Sequence, residues 1–280
     1  MTYTKRFPSG LRLVVKQIDG LLSVSMGVLV GTGSCYETEQ ENGISHFIEH
    51  MMFKGTEKRN AFEISDAMDR IGAQVNAFTS KDITCYYAKS TSDHAGEAFE
   101  ILSDFVLNST FPEEEMDREK GVVCEEISMT EDTPDDLCLD ILSEAYFGNS
   151  GYGRTILGPA NNVKGFTRKN LFDYIDERYN PENLVISFAG KIDIKYAEEL
   201  VAEHFEKYLK KREFGKRKKA LEQKGDSLFK NKDIEQVHIA FAWPSLARED
   251  KLMDAALVVN TILGGGMSSR LFQKVREQMG

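Results

Sequence analysis

The sequence predicts an α+β fold: a layered antiparallel or mixed sheet with helices packed on it, followed by the start of a second, homologous domain. Three observations carry this expectation. Strand-like runs come in neighbouring pairs, first around Gly20 and again on either side of residue 80, as hairpins do. Helical runs then follow in a group instead of alternating with single strands, which argues against a doubly wound parallel sheet. A strand followed by a helix opens the chain's last portion, repeating the order of residues 23–52.

The elements follow in order from periodicity. Leu11–Lys16 and Leu22–Val30 read as strands with a turn at Gly20. Asn42-Gly43 is a turn signal, and Ile44, Phe47, Ile48, Met51 and Met52 then recur at helical spacing. A second helix is expected from about Ala61 to Ile71. Strands are expected at Val75–Thr79 and Ile83–Ala88, and a helix from His94 to Leu107. Pro112 and three glutamates after it mark the start of a helix running to Thr130, because proline suits the first turn and acids favour the positive end of the dipole. Pro134 opens another helix toward Tyr146. Residues 150–166 are glycine-rich and expected to be a loop. Arg168–Arg178 reads as helix, Leu184–Ala189 as strand and Tyr196–Leu209 as helix.

The chemistry is concentrated in His46-Phe47-Ile48-Glu49-His50. Histidines four apart on a helix share one face, about 5–6 Å apart at Cβ, close enough to grip one metal ion. Glu49 lies beside them, within reach of a water on that ion. The order H-x-x-E-H is a known hydrolase signature. Zinc requires a further protein ligand, and a catalytic site leaves one position to water. The helix after Pro112 offers it. Met116, Val123 and Ile127 form its apolar stripe, Glu119 and Glu126 fall on the edge of that stripe, and Glu125 falls on the opposite face. A carboxylate turned toward a core is costly unless paired or metal-bound. Either Glu126 or Glu119 is therefore the expected ligand, with Glu125 solvated.

The run from His46 through Met51-Met52-Phe53-Lys54-Gly55-Thr56 resembles the M16 metallopeptidases, the family of pitrilysin, insulin-degrading enzyme and the mitochondrial processing peptidases. The resemblance is closest to bacterial processing-peptidase-like members. It continues through Gly72–Thr79, Thr84-Cys85-Tyr86-Tyr87 and Asn183-Leu184-Val185. It implies one Zn²⁺ per chain on His46, His50 and Glu126, with Glu49 as general base and Glu119 supporting the site. It also implies that substrate is held as an added strand along Asn76-Ala77-Phe78, with help from Arg276. The expected function is a zinc endopeptidase acting on peptides or small unfolded polypeptides. Alternatives are a non-catalytic family subunit that binds peptides and, less well supported, a structural zinc module.

The domain plan follows from the same reading. Residues 1–210 form the catalytic domain. A charged linker spans 211–227, where Lys210-Lys211-Arg212 and Lys216-Arg217-Lys218-Lys219 cluster. Residues 228–280 begin a second copy, with a strand at Gln236–Trp243, a helix at Lys251–Leu263 and Gly265-Gly266-Met267-Ser268-Ser269 in place of the metal motif. The family tyrosine that follows the arginine by seven residues would fall at position 283, so the chain is expected to lack most of its second half.

Composition bounds the partners. The chain has 280 residues, 41% hydrophobic and 29% charged, with a net charge of −10. This excludes nucleic acid as the main partner. No apolar run reaches membrane-spanning length, and the N-terminus lacks a signal-peptide core. The expected partners are a peptide substrate and either a second copy or an M16-type subunit. Cys35, Cys85, Cys124 and Cys138 are scattered, without C-x-x-C spacing. They read as buried free thiols of a cytoplasmic protein, with Cys124 directed away from the metal.

Overall fold

The computed structural model describes residues 2–206 and 226–280, so most of the expected 211–227 linker lies outside the described residues. Two compact units are present, Met1–Ala240 and Phe241–Gly280. The first holds a six-stranded sheet: β1 Thr2–Arg6, β2 Arg12–Gln17, β3 Ser23–Val30, β4 Gln74–Thr79, β5 Thr84–Thr91 and β6 Leu184–Gly190. Their order in the sheet is β1-β2-β6-β3-β5-β4. Neighbours are antiparallel except β2 and β6, which are parallel. The sheet is therefore mixed, with β1 and β4 as its edges.

Among the described residues eight α-helices accompany it: α1 Ile44–Met52, α2 Ala61–Arg70, α3 Ala95–Asn108, α4 Glu113–Asp132, α5 Pro134–Phe147, α6 Ala160–Gly165, α7 Arg168–Arg178 and α8 Ile194–Val201. The inward residues of the strands, among them Leu13, Val15, Met26, Val28, Tyr86, Ala88, Ile186 and Phe188, share one core with Phe47 and Ile48 of α1 and with Phe99, Leu102 and Phe105 of α3. Alternation along β5 buries Tyr86 and Ala88 and exposes Tyr87 and Lys89.

Several expectations are corrected. β1, with the polar sequence Thr-Tyr-Thr-Lys-Arg, was not expected; it forms because β2 offers a full antiparallel rung set from Thr2↔Lys16 to Arg6↔Arg12. The expected loop at 150–166 contains α6, built on Pro159 just before its first turn. The helix expected from Tyr196 starts at Ile194, behind an Asp193 side chain that caps the amides of Lys195 and Tyr196, and passes into a π-helical turn at Ala202–Glu206. Its expected last residues, 207–209, lie outside the described residues. Of the cysteines, Cys85 is buried and the other three are half-buried; all are free.

Residues 236–243 are not a strand. Their alternation is suitable, but a strand exists only where another backbone completes its hydrogen bonds, and among the described residues none pairs with this segment. The second unit contains α9, Met253–Gly264, and a π-helix at Phe272–Gln278. No described helix is long and apolar enough to cross a membrane.

Candidate metal centre

The helix α1 is set by its start. Gly43 precedes it with φ +100, and a Cβ there would lie 2.4 Å from the Leu157 carbonyl oxygen, so only glycine fits both the conformation and the space. The first turn is capped from outside the helix. Glu37, 4% exposed, accepts from the Gly43 amide at 2.8 Å, the Ser45 amide at 2.9 Å and Asn42 Nδ2 at 3.1 Å. A buried carboxylate thus faces the positive end of the helix. Burial pushes the Glu37 pKa up, and its three donors pull it back only in part. The Tyr174 hydroxyl binds Ser45 Oγ at 2.8 Å and Thr32 Oγ1 at 3.0 Å, tying the same turn to the core.

From this start the apolar face of α1 turns inward, and His46 and Glu49 reach a shared cleft. α4 runs alongside. His46 Nε2 stands 3.6 Å from Glu126 Oε2, and His50 Nε2 stands 3.5 Å from the same oxygen. One ligand atom from each of the three residues lies within 4.8 Å of the others. Glu125, the neighbour on α4, is exposed, and Cys124 is outside this group.

The donor set fits a zinc ion. Burial, with the nearby His50 charge adding to it, lowers the His46 pKa to about 4, so its imidazole is neutral near pH 7. His50 Nδ1 sits 3.0 Å from Glu119 Oε2, and its Nε2 is turned toward Glu126. Two histidine nitrogens stand around one Glu126 oxygen at separations too long for good hydrogen bonds. Two ligands ~2.0–2.1 Å from one tetrahedral ion stand about 3.4 Å apart, close to the spacing seen.

Sequence reasoning missed three neighbours of this group. Lys54 Nζ lies 2.6 Å from Glu119 Oε1, so Glu119 bridges a lysine and His50. Thr79 Oγ1 donates to Glu49 Oε2 at 2.5 Å. Glu37 is the third. Lys54 and Thr79 stand inside the quoted family segments, but no spacing rule marks them. Burial is the main cause that raises the Glu49 pKa, with the Thr79 bond acting the other way.

The cleft is lined by His46, Glu49, Glu126, the strand residues Ala77, Phe78 and Thr79, and Asp136 and Asp140 of α5, with a volume of about 470 Å³. Asn76 and Phe78 are exposed on the edge strand β4, and Ala77 is half-buried. Arg276 belongs to the second unit, where its guanidinium lies 5.6 Å from the Phe272 ring centre.

Comparison with known proteins is consistent with this arrangement. Residues 13–160 match the family model for insulinase, peptidase family M16, and residues 165–280 match that for the peptidase M16 inactive domain. An uncharacterized zinc protease of Bacillus subtilis, YmxG, is 43% identical over 275 residues, covering 97% of this chain and 66% of its own length. One from Streptomyces coelicolor is 37% identical over 280 residues, covering 98% of this chain and 61% of its own. The chain thus spans just under two thirds of the curated relatives it matches. The fold agrees with the crystal structure of a protease from Helicobacter pylori, with a TM-score of 0.85 and 22% identity over 100% of this chain and 69% of that one. With a two-histidine, one-glutamate group on an α+β scaffold and two family models that together span nearly its whole length, the chain belongs to peptidase family M16.

Proposed function

We propose that this protein is a zinc endopeptidase that hydrolyses peptides or small unfolded polypeptides. The observation that carries the reading is the convergence of His46, His50 and Glu126, with Glu49 lining the same cleft. These three residues would hold one Zn²⁺, which when bound polarises a water and lowers its pKa toward ~7. Glu49, which lines the same cleft, would accept the proton released as a water attacks the peptide carbonyl and would return it to the leaving amine as the peptide bond breaks. Glu119 holds the His50 ring by Nδ1.

Edge strand β4 supports the substrate class. Among the described residues its outer side has no neighbour in the sheet, so an extended peptide can add there along Asn76-Ala77-Phe78 by backbone bonds that tolerate varied sequences. Asp136 and Asp140 on the cleft wall suit a basic side chain in that peptide. We assign Arg276 to substrate holding on the family resemblance alone. The domain plan of 1–210, 211–227 and 228–280, a cytoplasmic location and a second copy or M16-type subunit as partner complete the reading.

The test is zinc content and peptide cleavage in wild type, His50→Ala and Glu49→Gln. Wild type should carry one zinc, and should cleave in a full-length protein of roughly 400 residues but weakly or not at all as the 280-residue chain; His50→Ala should lose the metal; Glu49→Gln in the full-length protein should keep it and lose hydrolysis. Cleavage by Glu49→Gln at the wild-type rate would refute the mechanism. Zinc retained undiminished in His50→Ala would refute the ligand set.

A further inference from the structure

Among the described residues, the side chain that donates a hydrogen bond to Glu49 is Thr79, at 2.5 Å to Oε2. Thr79 is the last residue of β4, and its rung with Thr84 closes the β4–β5 ladder. Its side chain is half-buried and lines the cleft together with His46, Glu49 and Glu126. A glutamate has three rotatable side-chain bonds, so an untethered carboxylate samples several rotamers. The Thr79 hydroxyl removes that freedom. It occupies Oε2 and leaves Oε1 to receive a proton.

We propose that Thr79 is a positioning residue, which orients the Glu49 carboxylate for proton transfer and ties that orientation to the strand on which substrate docks. The inference rests on the endopeptidase reading above. A peptide added to the outer side of β4 bonds to the backbone of Asn76–Thr79. The same strand carries, at its end, the hydroxyl that holds the base. Docking and base alignment therefore share one rigid piece of backbone. A change at Thr79 should show in the chemical step before it shows in binding.

The experiment uses zinc-loaded full-length protein and the variants Thr79→Val and Thr79→Ser. Valine keeps the shape and strand preference of threonine and removes only the hydroxyl; serine keeps the hydroxyl. Thr79→Val should lower kcat roughly ten- to hundred-fold, the scale of one lost bond to a charged group. KM and zinc content should stay within about two-fold. Thr79→Ser should recover most of kcat. Peptide affinity is also measured without turnover, in Glu49→Gln and in Glu49→Gln with Thr79→Val, and should be equal in the two. A purely structural Thr79 would instead weaken peptide or zinc binding in the valine variant and would not separate kcat from KM. Wild-type cleavage that Thr79→Val leaves intact, or a loss that serine fails to recover, overturns this inference alone. Absence of cleavage by the wild type overturns the endopeptidase reading, and this inference with it.

Discussion

Replacing Glu37 by alanine tests the account of how α1 is held. The substitution leaves the Gly43 amide, the Ser45 amide and Asn42 Nδ2 without their acceptor. Asn42 Nδ2 keeps its bond to the Thr155 carbonyl at 2.8 Å, so the two amides bear most of the loss. Each bond to a charged group is worth ~1.5–3 kcal/mol on removal, which makes the gross loss about 3–6 kcal/mol for the amides. Relief of the buried charge offsets part of it, since burial is what raises the Glu37 pKa. A net destabilisation of about 2–4 kcal/mol is expected, a drop in Tm of roughly 5–15 °C for a unit of this size. The pH dependence follows from the same shift. A raised folded pKa means that the folded protein holds this proton more tightly than the unfolded chain. Stability from Glu37 is then greatest below the unfolded carboxylate value of ~4.3 and falls as pH rises through the folded value. Urea unfolding of metal-free wild type and Glu37→Ala across this range reads both effects. A loss below about 1 kcal/mol would refute the capping argument, and a penalty that grows with rising pH would refute the raised folded pKa.

Two further outcomes are expected at the metal centre. Glu126→Gln should lose much of the zinc, whereas Glu125→Gln should change metal content little, because Glu125 is exposed on α4; elemental analysis of both decides the helix face. Lys54→Met should weaken zinc binding roughly ten- to hundred-fold by releasing Glu119 from its 2.6 Å bridge, an effect of the size expected from partners of ligands. Chelator competition measures it, and unchanged affinity would show that Glu119 holds His50 without the lysine.

The strands and helices that read clearly from sequence are those with one buried face. α1 shows its apolar spacing, and β5 alternates Tyr86 and Ala88 against Tyr87 and Lys89. β1 was illegible because an edge strand rich in polar residues has no buried face to mark it. The segment at 236–243 misled for the opposite reason: it has the pattern, and pattern carries no information about a pairing partner. At the metal group, the wheel of α4 narrowed the acids to Glu119 and Glu126 but could not choose between them. The structure separates them by contact, Glu119 on His50 Nδ1 and Glu126 between the two Nε2 atoms. Lys54 and Thr79 act through single polar contacts with partners distant in sequence, and Glu37 through side-chain bonds to backbone that no periodicity marks; a one-dimensional pattern has no term for either.

The place of β6 in the sheet bears on how the chain reaches its fold. β6 comes from Leu184–Gly190 yet lies between β2 and β3, with Val14 paired to Ser187 on one side and Gly27 to Ser187 on the other. β2 and β3, neighbours along the chain, never touch as rungs. During synthesis the β1–β2 ribbon and the β3–β5–β4 sheet must therefore wait apart until β6 emerges and joins them. Every residue of the metal group has left the ribosome by then. Closing so long a loop is slow, and each half keeps an open strand edge meanwhile. A nascent chain stalled before residue 184 should thus carry the ligands of the zinc without the sheet that aims them, and it would be a natural client for chaperones.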